Sequence, residues 1–270
     1  MTKVDQLPAV LTSFAYREEY FPELEGMIAT VREHHPDWVL VTGRGPIGKF
    51  DRPALEVESP AGKLEWVLPV SFQFDGTEND WHRIVFMKGW WMSQVWHTFG
   101  NPGSSGKKRV VWLDADGRLN GPLDLTVDPE AEVFASPWWF DPKLPQEHHV
   151  CSGLLMFQGS PGGIIENLID QWSAGCLQAI QSPLQPSPFG PWPEGDQDVL
   201  TKAVNACALP DGSLVKLPYE KYCGIPDYKT GARKPGALVD QWMMNEKMRL
   251  PKDRDRNWPP PETARRGTAG

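Results

Sequence analysis

The stretch Val110-Val111-Trp112-Leu113-Asp114-Ala115-Asp116-Gly117 decides the fold. Its apolar half is typical of a buried strand, and its polar half delivers two carboxylates to the end of that strand, just before a turn. Because side chains alternate along a strand, Asp114 and Asp116 are predicted to point the same way. Two aligned carboxylates repel each other, and hard divalent cations prefer such oxygen ligands. The stretch therefore predicts a metal site, and the alternative is a solvated acidic turn.

Length and composition favour one large domain. The chain has 270 residues, of which 40% are apolar, and this suffices for a single core over residues 1–250. The tail at 251–270 is charged and rich in proline, so we expect it to be disordered. The net charge of −8 argues against a general attraction to nucleic acid, although a local basic groove is compatible with it.

The sequence predicts a cytoplasmic protein without integral membrane association. No apolar run approaches the roughly 20 residues needed to span a bilayer, and the N-terminus does not read as a signal peptide. The four cysteines are scattered and form no Cys-x-x-Cys pair. Cysteines of this kind are expected to be free thiols in a reducing compartment.

Strands and helices are predicted to alternate along the chain, which indicates an α/β sheet with parallel strands. Ligands of such sheets bind beyond the carboxyl ends of the strands, where Asp114 and Asp116 lie. The predicted strands are 10–14, 38–42, 64–74, 110–113, 133–137 and 151–157. The predicted helices are 18–34, 81–99, 164–177 and one that opens at 194–200. Residues 44–63 and 181–195 are predicted to be loops, the second an ordered loop or lid.

Three further motifs carry chemistry. Ser152-Gly153 leads into an apolar strand, and Gly195-Asp196-Gln197-Asp198 opens a helix. Acidic residues at a helix start are often caps, so capping competes with a functional role for Asp196 and Asp198. The basic loop 227–235 contains Gly231 and Lys234 and is of a kind that holds phosphate through backbone N–H groups and lysine. The alternative for this loop is a solvated basic turn.

The order of these motifs over residues 9–236 resembles the nucleotide-sugar glycosyltransferases of the GT-A fold. The resemblance is nearest to the retaining group that includes glycogenin and the bacterial lipooligosaccharide galactosyltransferases. It implies an α/β fold with a mostly parallel central sheet flanked by helices. It also implies a nucleotide-diphosphate sugar donor, with a UDP-sugar favoured, and Mn²⁺ or Mg²⁺ as the cofactor that bridges the diphosphate.

The same resemblance implies roles for individual residues. Asp114 and Asp116 match the family's metal-binding pair. Tyr228 stands where the family has its histidine ligand, so the neighbouring Asp227 is the expected third ligand. The alternatives are a weakly held metal or a differently built loop. The catalytic carboxylates are expected to be Asp196 and Asp198, with Asp196 facing the sugar and Asp198 supporting the helix or the acceptor. The expected contacts to the donor are Phe14, Ala15, Tyr16, Lys88, Asp114, Ala115, Asp116, Ser152, Gly153, Gly231 and Lys234.

The acceptor is not identified by the sequence. A saccharide, a protein and a modified base of phage-type DNA all remain open. Trp138, Trp139, Trp192 and the loop at 182–194 are the expected acceptor contacts, because the chain has 13 tryptophans and tryptophan stacks on bases and sugar rings.

Two other classes of protein compete with this interpretation. Asp114-Ala115-Asp116-Gly117 also resembles the nucleophile motif of haloacid-dehalogenase phosphohydrolases, and Gly195-Asp196 resembles their later acidic motif. However, Arg118 stands where that family has threonine. The other alternative is a non-catalytic module that binds sugars or nucleic acid on its tryptophans.

Overall fold

The structure is a computed structural model of the chain. It describes residues 9–47, 52–71, 78–99, 106–124, 127–139, 149–188, 193–224 and 235–241. The tail at 251–270 lies outside these ranges, so its predicted disorder stays a prediction. Within the described ranges, no helix combines the length and the apolar character that crossing a membrane requires.

The described residues form helices and strands that alternate along the chain. The strands are β1 (Val10–Tyr16), β2 (Val39–Gly45), β3 (Ala54–Ser59), β4 (Gly62–Val67), β5 (Lys108–Leu113), β6 (Gly117–Leu119), β7 (Val133–Trp139), β8 (His149–Val150), β9 (Leu154–Gly159), β10 (Leu214–Pro218) and β11 (Val239–Gln241). The α-helices are α1 (Phe21–His34), α2 (Glu78–Phe99), α3 (Ile164–Gln181), α4 (Asp196–Cys207) and α5 (Tyr219–Tyr222). A short 3-10 helix at Glu18–Tyr20 precedes α1.

One large sheet organises the molecule, in the order β10-β7-β9-β5-β1-β2-β3-β4, with β8 paired to β7. At its centre, β1 runs parallel to both β2 and β5. Strand β9 enters antiparallel between β5 and β7, and the hairpin β3-β4 extends the other side antiparallel to β2. The predicted α/β class with a central sheet flanked by helices is confirmed. Not every strand is parallel, however.

Apolar side chains cover both faces of this sheet. Val110 and Trp112 of β5 belong to one core, which α2, α3 and α4 complete. Val111 and Leu113 belong to a second core on the opposite face, which includes side chains of α1 and β6. The alternation predicted for β5 therefore holds as far as Leu113. The carboxyl end of β5 is therefore packed on both faces of the sheet.

The prediction that residues 44–63 form a loop is wrong. Strand β3 lies within this range and pairs with β2 on one side and β4 on the other. Leu55 and Val57 are fully buried, so the alternating apolar pattern outweighs the proline and glycine around it. The predicted strand 64–74 is also too long, because β4 ends at Val67, and residues 72–74 lie outside the described ranges. The remaining predicted strands and helices exist, with ends that differ by a few residues.

Candidate active site

The two aspartates of the opening motif lie in a turn just beyond β5. The Asp114 N–H donates to the Gly153 carbonyl at 2.9 Å, and the Gly117 N–H donates to the Asp114 carbonyl at 2.7 Å. Strand pairing stops at Leu113 and the next residues form a turn, so strand alternation does not apply to Asp114 and Asp116. That their carboxylates point the same way stays a prediction. Both aspartates are half-buried at the carboxyl end of the central strand, where the sequence predicted a ligand site.

Arg118 holds this turn against α1. Its Nη1 donates to the carbonyls of Ala115 at 3.0 Å and Gly117 at 2.8 Å, and its Nη2 pairs with Glu23 at 2.9 Å. A Cβ at Gly26 would lie 2.4 Å from Arg118 Nη2, so α1 has room for the guanidinium only because position 26 is glycine. The buried ion pair thus fixes the backbone between the two aspartates.

Lys88 of α2 joins three separate parts of the chain at one ammonium. Its Nζ lies 2.8 Å from Asp114 Oδ1, 3.1 Å from Asp196 Oδ2 and 3.1 Å from Ser152 Oγ. The Lys88 side chain is 7% exposed, and its Nζ also lies 5.2 Å from the centre of the Trp112 ring. The contacts to Asp114 and Asp196 are ion pairs, and the contact to Ser152 is a hydrogen bond that Lys88 donates. Among the described residues, Asp196 Oδ2 has no hydrogen-bond partner.

The charges of this cluster keep Lys88 protonated. Burial alone lowers the pKa of Lys88, but the carboxylates of Asp114 and Asp196 outweigh burial, and the net pKa is raised above its usual value. Two carboxylates against one ammonium leave the cluster negatively charged when all three are ionised. The cluster therefore attracts a further cation rather than an anion.

The two aspartates at the start of α4 have different surroundings. Asp198 accepts the Gly195 N–H at 2.8 Å and the Ser187 hydroxyl at 3.1 Å, so it caps the helix. Asp196 turns its carboxylate to Lys88, while its carbonyl accepts the Trp172 indole N–H at 3.0 Å. The geometry separates a capping carboxylate, which is one of the two roles expected for Asp198, from one that joins the Lys88 cluster. That Asp196 faces the sugar stays a prediction.

Burial changes the acidity of the capping carboxyl. The Asp198 side chain is fully buried, and this burial raises its pKa to about 6. The hydrogen bonds from Gly195 and Ser187 act in the opposite direction, whereas the charges of Asp196 and Glu194 add to the increase. Asp198 therefore titrates closer to neutrality than an ordinary aspartate.

The oxygen ligands at the turn are suited to a divalent cation. Trp112 Nε1 donates to Asp114 Oδ1 at 2.7 Å, which is also the oxygen that Lys88 contacts. Asp116 is half-buried two residues further on in the same turn. Carboxylate oxygens of this kind suit Mg²⁺ or Mn²⁺. The expected third ligand, Asp227, lies outside the described residues.

A second group with metal-ligand atoms lies elsewhere. His97, Glu166 and Asp170 bring their ligand atoms within 4.8 Å of one another on α2 and α3. Each is already occupied, because His97 Nε2 lies 3.0 Å from Asp170 Oδ1 and Glu166 accepts the Trp96 indole N–H at 2.8 Å. His97 is nine residues beyond Lys88 along α2, a rise of about 13 Å. This surface group is separate from the Lys88 cluster.

The predicted base-binding residues at the end of β1 are buried. Phe14 packs between Trp91 and Trp112, with each pair of ring centres 5.6 Å apart, and Ala15 is 2% exposed. Tyr16 is also 2% exposed, and burial raises its pKa to about 12. The strand places all three at the same edge of the sheet as Asp114, because β1 and β5 run parallel.

The predicted acceptor contacts fall partly within the structure. Trp138 is half-buried on β7, and Lys216 Nζ lies 4.4 Å from the centre of its ring. The side chain of Trp139 and all of Trp192 lie outside the described residues, as do Gly231 and Lys234. A cavity of about 270 Å³ lies against the predicted acceptor loop. Its lining includes Phe86, Gln178, Gln185, Glu194, Val199 and Lys202.

Sequence reasoning missed three residues of the site. Trp112, Arg118 and Ser187 support Asp114, the turn and Asp198 respectively. Trp112 lies within the stretch 110–117, but its apolar neighbours favour a purely packing role. No sequence signal links Ser187 to Asp198, because their contact depends on how the proline-rich loop folds back.

Comparisons with known proteins give structural likenesses only. No family model matches the chain, and no curated protein matches it. One similar solved structure is described as a glycosyltransferase involved in the glycosylation of the major capsid of PBCV-1, at 12% identity and a TM-score of 0.46 over 89% of this chain and 97% of that one. Another is the bifunctional glycosyltransferase WbbM, at 9% identity and a TM-score of 0.47 over 91% of this chain. The match covers 47% of the WbbM chain, about half its length. Sequence identities and TM-scores this low carry no argument about function, so the function has to be argued from the site.

Proposed function

We propose that the chain is a metal-dependent glycosyltransferase that takes a sugar from a nucleotide-diphosphate sugar, with a UDP-sugar as the favoured donor. One observation carries the proposal. Lys88, Asp114, Asp196 and Ser152 come from four separate segments and meet at the carboxyl end of β5. Their order along the chain is also the order that the family resemblance requires.

The proposed donor site uses the turn after β5 for the diphosphate. Asp114 and Asp116 would hold Mn²⁺ or Mg²⁺, with Asp227 as the proposed third ligand. The cation supplies Lewis-acid stabilisation of the charge on the departing diphosphate. Gly231 and Lys234 are proposed to contact the same phosphates. The end of β1, at Phe14, Ala15 and Tyr16, is proposed to lie beside the nucleobase.

The proposed sugar site uses the Lys88 cluster. As the sugar develops oxocarbenium character, a fixed carboxylate nearby stabilises it. Asp196 is the proposed group, because Lys88 fixes its carboxylate, whereas Asp198 is committed to the helix cap. Ser152 and Gly153 would form one side of the site, because Ser152 accepts from Lys88 and the Gly153 carbonyl accepts the Asp114 N–H. Transfer is proposed to retain the donor's configuration, as in the family the chain resembles.

The acceptor is proposed to approach from the side of the loop at 182–194. The cavity against this loop includes Glu194, two residues before Asp196 in the chain. Its lining mixes carboxylate, amide and ammonium groups with Phe86 and so suits a polar acceptor with an apolar face. Trp138, Trp139 and Trp192 remain proposed acceptor contacts.

A phosphohydrolase of the haloacid-dehalogenase type also has a supporting observation. That chemistry needs an aspartate nucleophile and a later acidic motif, and Asp114 and Asp196 both contact Lys88. The two functions differ in the covalent product. The phosphohydrolase forms an aspartyl phosphate on Asp114, whereas the glycosyltransferase leaves Asp114 unmodified.

A panel of nucleotide sugars with Mn²⁺ tests the proposal. We expect one donor to raise the melting temperature and to release nucleoside diphosphate slowly into water. Asp114→Asn should lose both effects, whereas Asp211→Asn, on an exposed turn, should keep them. Phosphate release from phosphomonoesters, with phosphate bound to Asp114, would instead establish the phosphohydrolase. No response to any donor would reject the glycosyltransferase.

A further inference from the structure

Two cysteines far apart in the sequence meet beside the candidate site. Cys151 Sγ lies 3.1 Å from Cys223 Sγ, and both residues are free thiols. The sulfurs of a disulfide lie about 2.05 Å apart, so a shift of about 1 Å would join this pair. No local sequence pattern links the two cysteines, because 72 positions separate them.

Backbone hydrogen bonds hold both cysteines in place. The Cys151 N–H donates to the Pro137 carbonyl at 2.8 Å, and the Cys223 N–H donates to the Tyr219 carbonyl at 2.7 Å. The next residue after Cys223 is Gly224, whose N–H donates to the Val239 carbonyl at 2.8 Å in β11. The approach of the sulfurs is therefore fixed by β7 on one side and by α5 and β11 on the other.

The two thiols are not equivalent. Cys151 is partly exposed, and the hydrogen bond from Cys223 lowers its pKa although burial acts the other way. Cys223 is 5% exposed, and its pKa is raised by the hydrogen bond to Cys151 and by burial. A partly exposed thiol of lowered pKa is the one that attacks a disulfide, and a neighbouring thiol then resolves the product.

We propose that Cys151 and Cys223 form a redox-active dithiol, which a small-molecule disulfide oxidises to an intrachain disulfide. The Cys151 thiolate attacks one sulfur of the oxidant, breaking its S–S bond and releasing one thiol. Cys223 then gives up its proton, attacks Cys151 Sγ and releases the second thiol. The protein loses two electrons and two protons, and the oxidant becomes two thiols.

The new bond would join two segments next to the Lys88 cluster, namely the one that contains Cys151 and the one that contains Cys223. Cys151 precedes Ser152, which accepts from Lys88, and Cys223 lies beside the segment that carries Gln241. A Cβ at Gly153 would lie 2.9 Å from Gln241 Cδ, so these two parts of the structure are already in contact. The modification site stands on the thiol geometry and does not depend on the proposed activity.

The other two cysteines provide an internal control. Cys176 is buried between α2 and α3, and Cys207 at the end of α4 lies 4.0 Å from Asn167 Nδ2. Burial raises the pKa of both thiols. We therefore expect both to stay reduced under conditions that oxidise Cys151.

The experiment treats the full, folded chain with excess oxidised glutathione, quenches with acid and maps the peptides by mass. We expect a peptide that links Cys151 to Cys223, lighter by two hydrogen atoms than the sum of its parts, and the linkage should persist in a Cys176→Ala/Cys207→Ala variant. The melting temperature should rise by about 5–10 °C on oxidation, since the bond closes a long loop. A stable glutathione adduct on the wild-type chain, a linkage to Cys176 or Cys207, or a lower melting temperature would overturn the proposal.

Single variants test the order of the two steps. Cys223→Ser should accumulate a glutathione adduct on Cys151, because the resolving thiol is gone. Cys151→Ser should leave Cys223 unmodified, because Cys223 is buried. Cys223→Thr, which also keeps a hydroxyl that can donate to Cys151, provides the same test if the serine variant does not fold. An unmodified Cys151 in both Cys223 variants would overturn the assignment of Cys151 as the attacking thiol.

Discussion

Lys88 Nζ lies 3.1 Å from Asp196 Oδ2 and so ties the middle of α2 to the first turn of α4. The same ammonium lies 2.8 Å from Asp114, at the end of the central strand. A buried cation between two carboxylates makes the position of each depend on the others. Geometry at this point of the molecule is therefore set by charge as well as by packing.

Removal of the Lys88 charge should destabilise the protein strongly. Lys88→Met leaves Asp114 and Asp196 facing each other without a counter-charge, and we expect a loss of about 3–5 kcal/mol in the free energy of unfolding. Urea denaturation measures this loss in the free energy of unfolding. Lys63→Met, which breaks an exposed pair with Glu56, should change the free energy of unfolding far less. Adding Asp196→Asn to Lys88→Met should recover part of the loss, and the absence of any recovery would contradict a charge-based cause.

The sequence predicted that Asp114 and Asp116 lie at the carboxyl edge of the sheet, because a buried apolar run followed by aspartates can be recognised locally. It also offered the helix or the acceptor as the group that Asp198 supports, since the first turn of a helix has known capping chemistry, and the hydrogen bond from the Gly195 N–H shows a cap. The pattern of charges does not predict that Lys88 joins Asp114 to Asp196. The sequence of α2 is mostly apolar, and a single lysine in it does not reveal its partners. The Cys151–Cys223 contact was beyond reach for the same reason: it depends on long-range packing.

Stability should depend on pH through Asp198. Burial raises its pKa to about 6 in the folded chain, whereas an ordinary aspartate has a pKa of 3.8, so the folded state binds this proton more tightly than the unfolded state. This group's contribution to stability is therefore fully present below about pH 4 and is lost as the pH rises through about pH 6, by up to about 3 kcal/mol. We expect Asp198→Asn to gain stability relative to the wild type over this window. Urea unfolding of both proteins across the window measures the gap, and a gap that does not vary with pH would contradict the raised pKa.

The two aspartates of α4 should respond differently to amidation. Asp196→Asn replaces the carboxylate that meets Lys88, so donor turnover should fall by orders of magnitude. Asp198→Asn keeps an oxygen that accepts the Gly195 N–H, so its turnover should fall much less. Initial rates with the best donor, on samples of matched melting temperature, decide between them. The reverse order would place Asp198 at the sugar and Asp196 in a supporting role.

Turnover should require a divalent cation at the turn after β5. Asp116→Asn removes one proposed ligand charge, so we expect a loss of activity in Mn²⁺ that excess metal partly restores. A metal titration of donor hydrolysis gives the apparent affinity for each protein. Asp211→Asn serves as the control on an exposed turn. Wild-type turnover that is undiminished in chelator would exclude this metal role.

The helix that carries Lys88 should tolerate no side chain at Gly89. A Cβ there would lie 2.8 Å from Cys176 Sγ and 3.1 Å from the Trp172 carbonyl oxygen, so α2 and α3 would have to separate. Alanine favours helices more than glycine does, and a gain of about 1 kcal/mol would be expected from propensity alone. We expect Gly89→Ala instead to lose about 1–3 kcal/mol by overpacking and to lower turnover, since the shift moves Lys88 away from Asp114 and Asp196. Cys176→Ala removes the nearest atom, so the double variant should be more stable than the sum of the single changes predicts. Denaturation of the four proteins in this cycle measures the coupling, and strictly additive losses would mean that the close approach of α2 and α3 does not hold Lys88 in place.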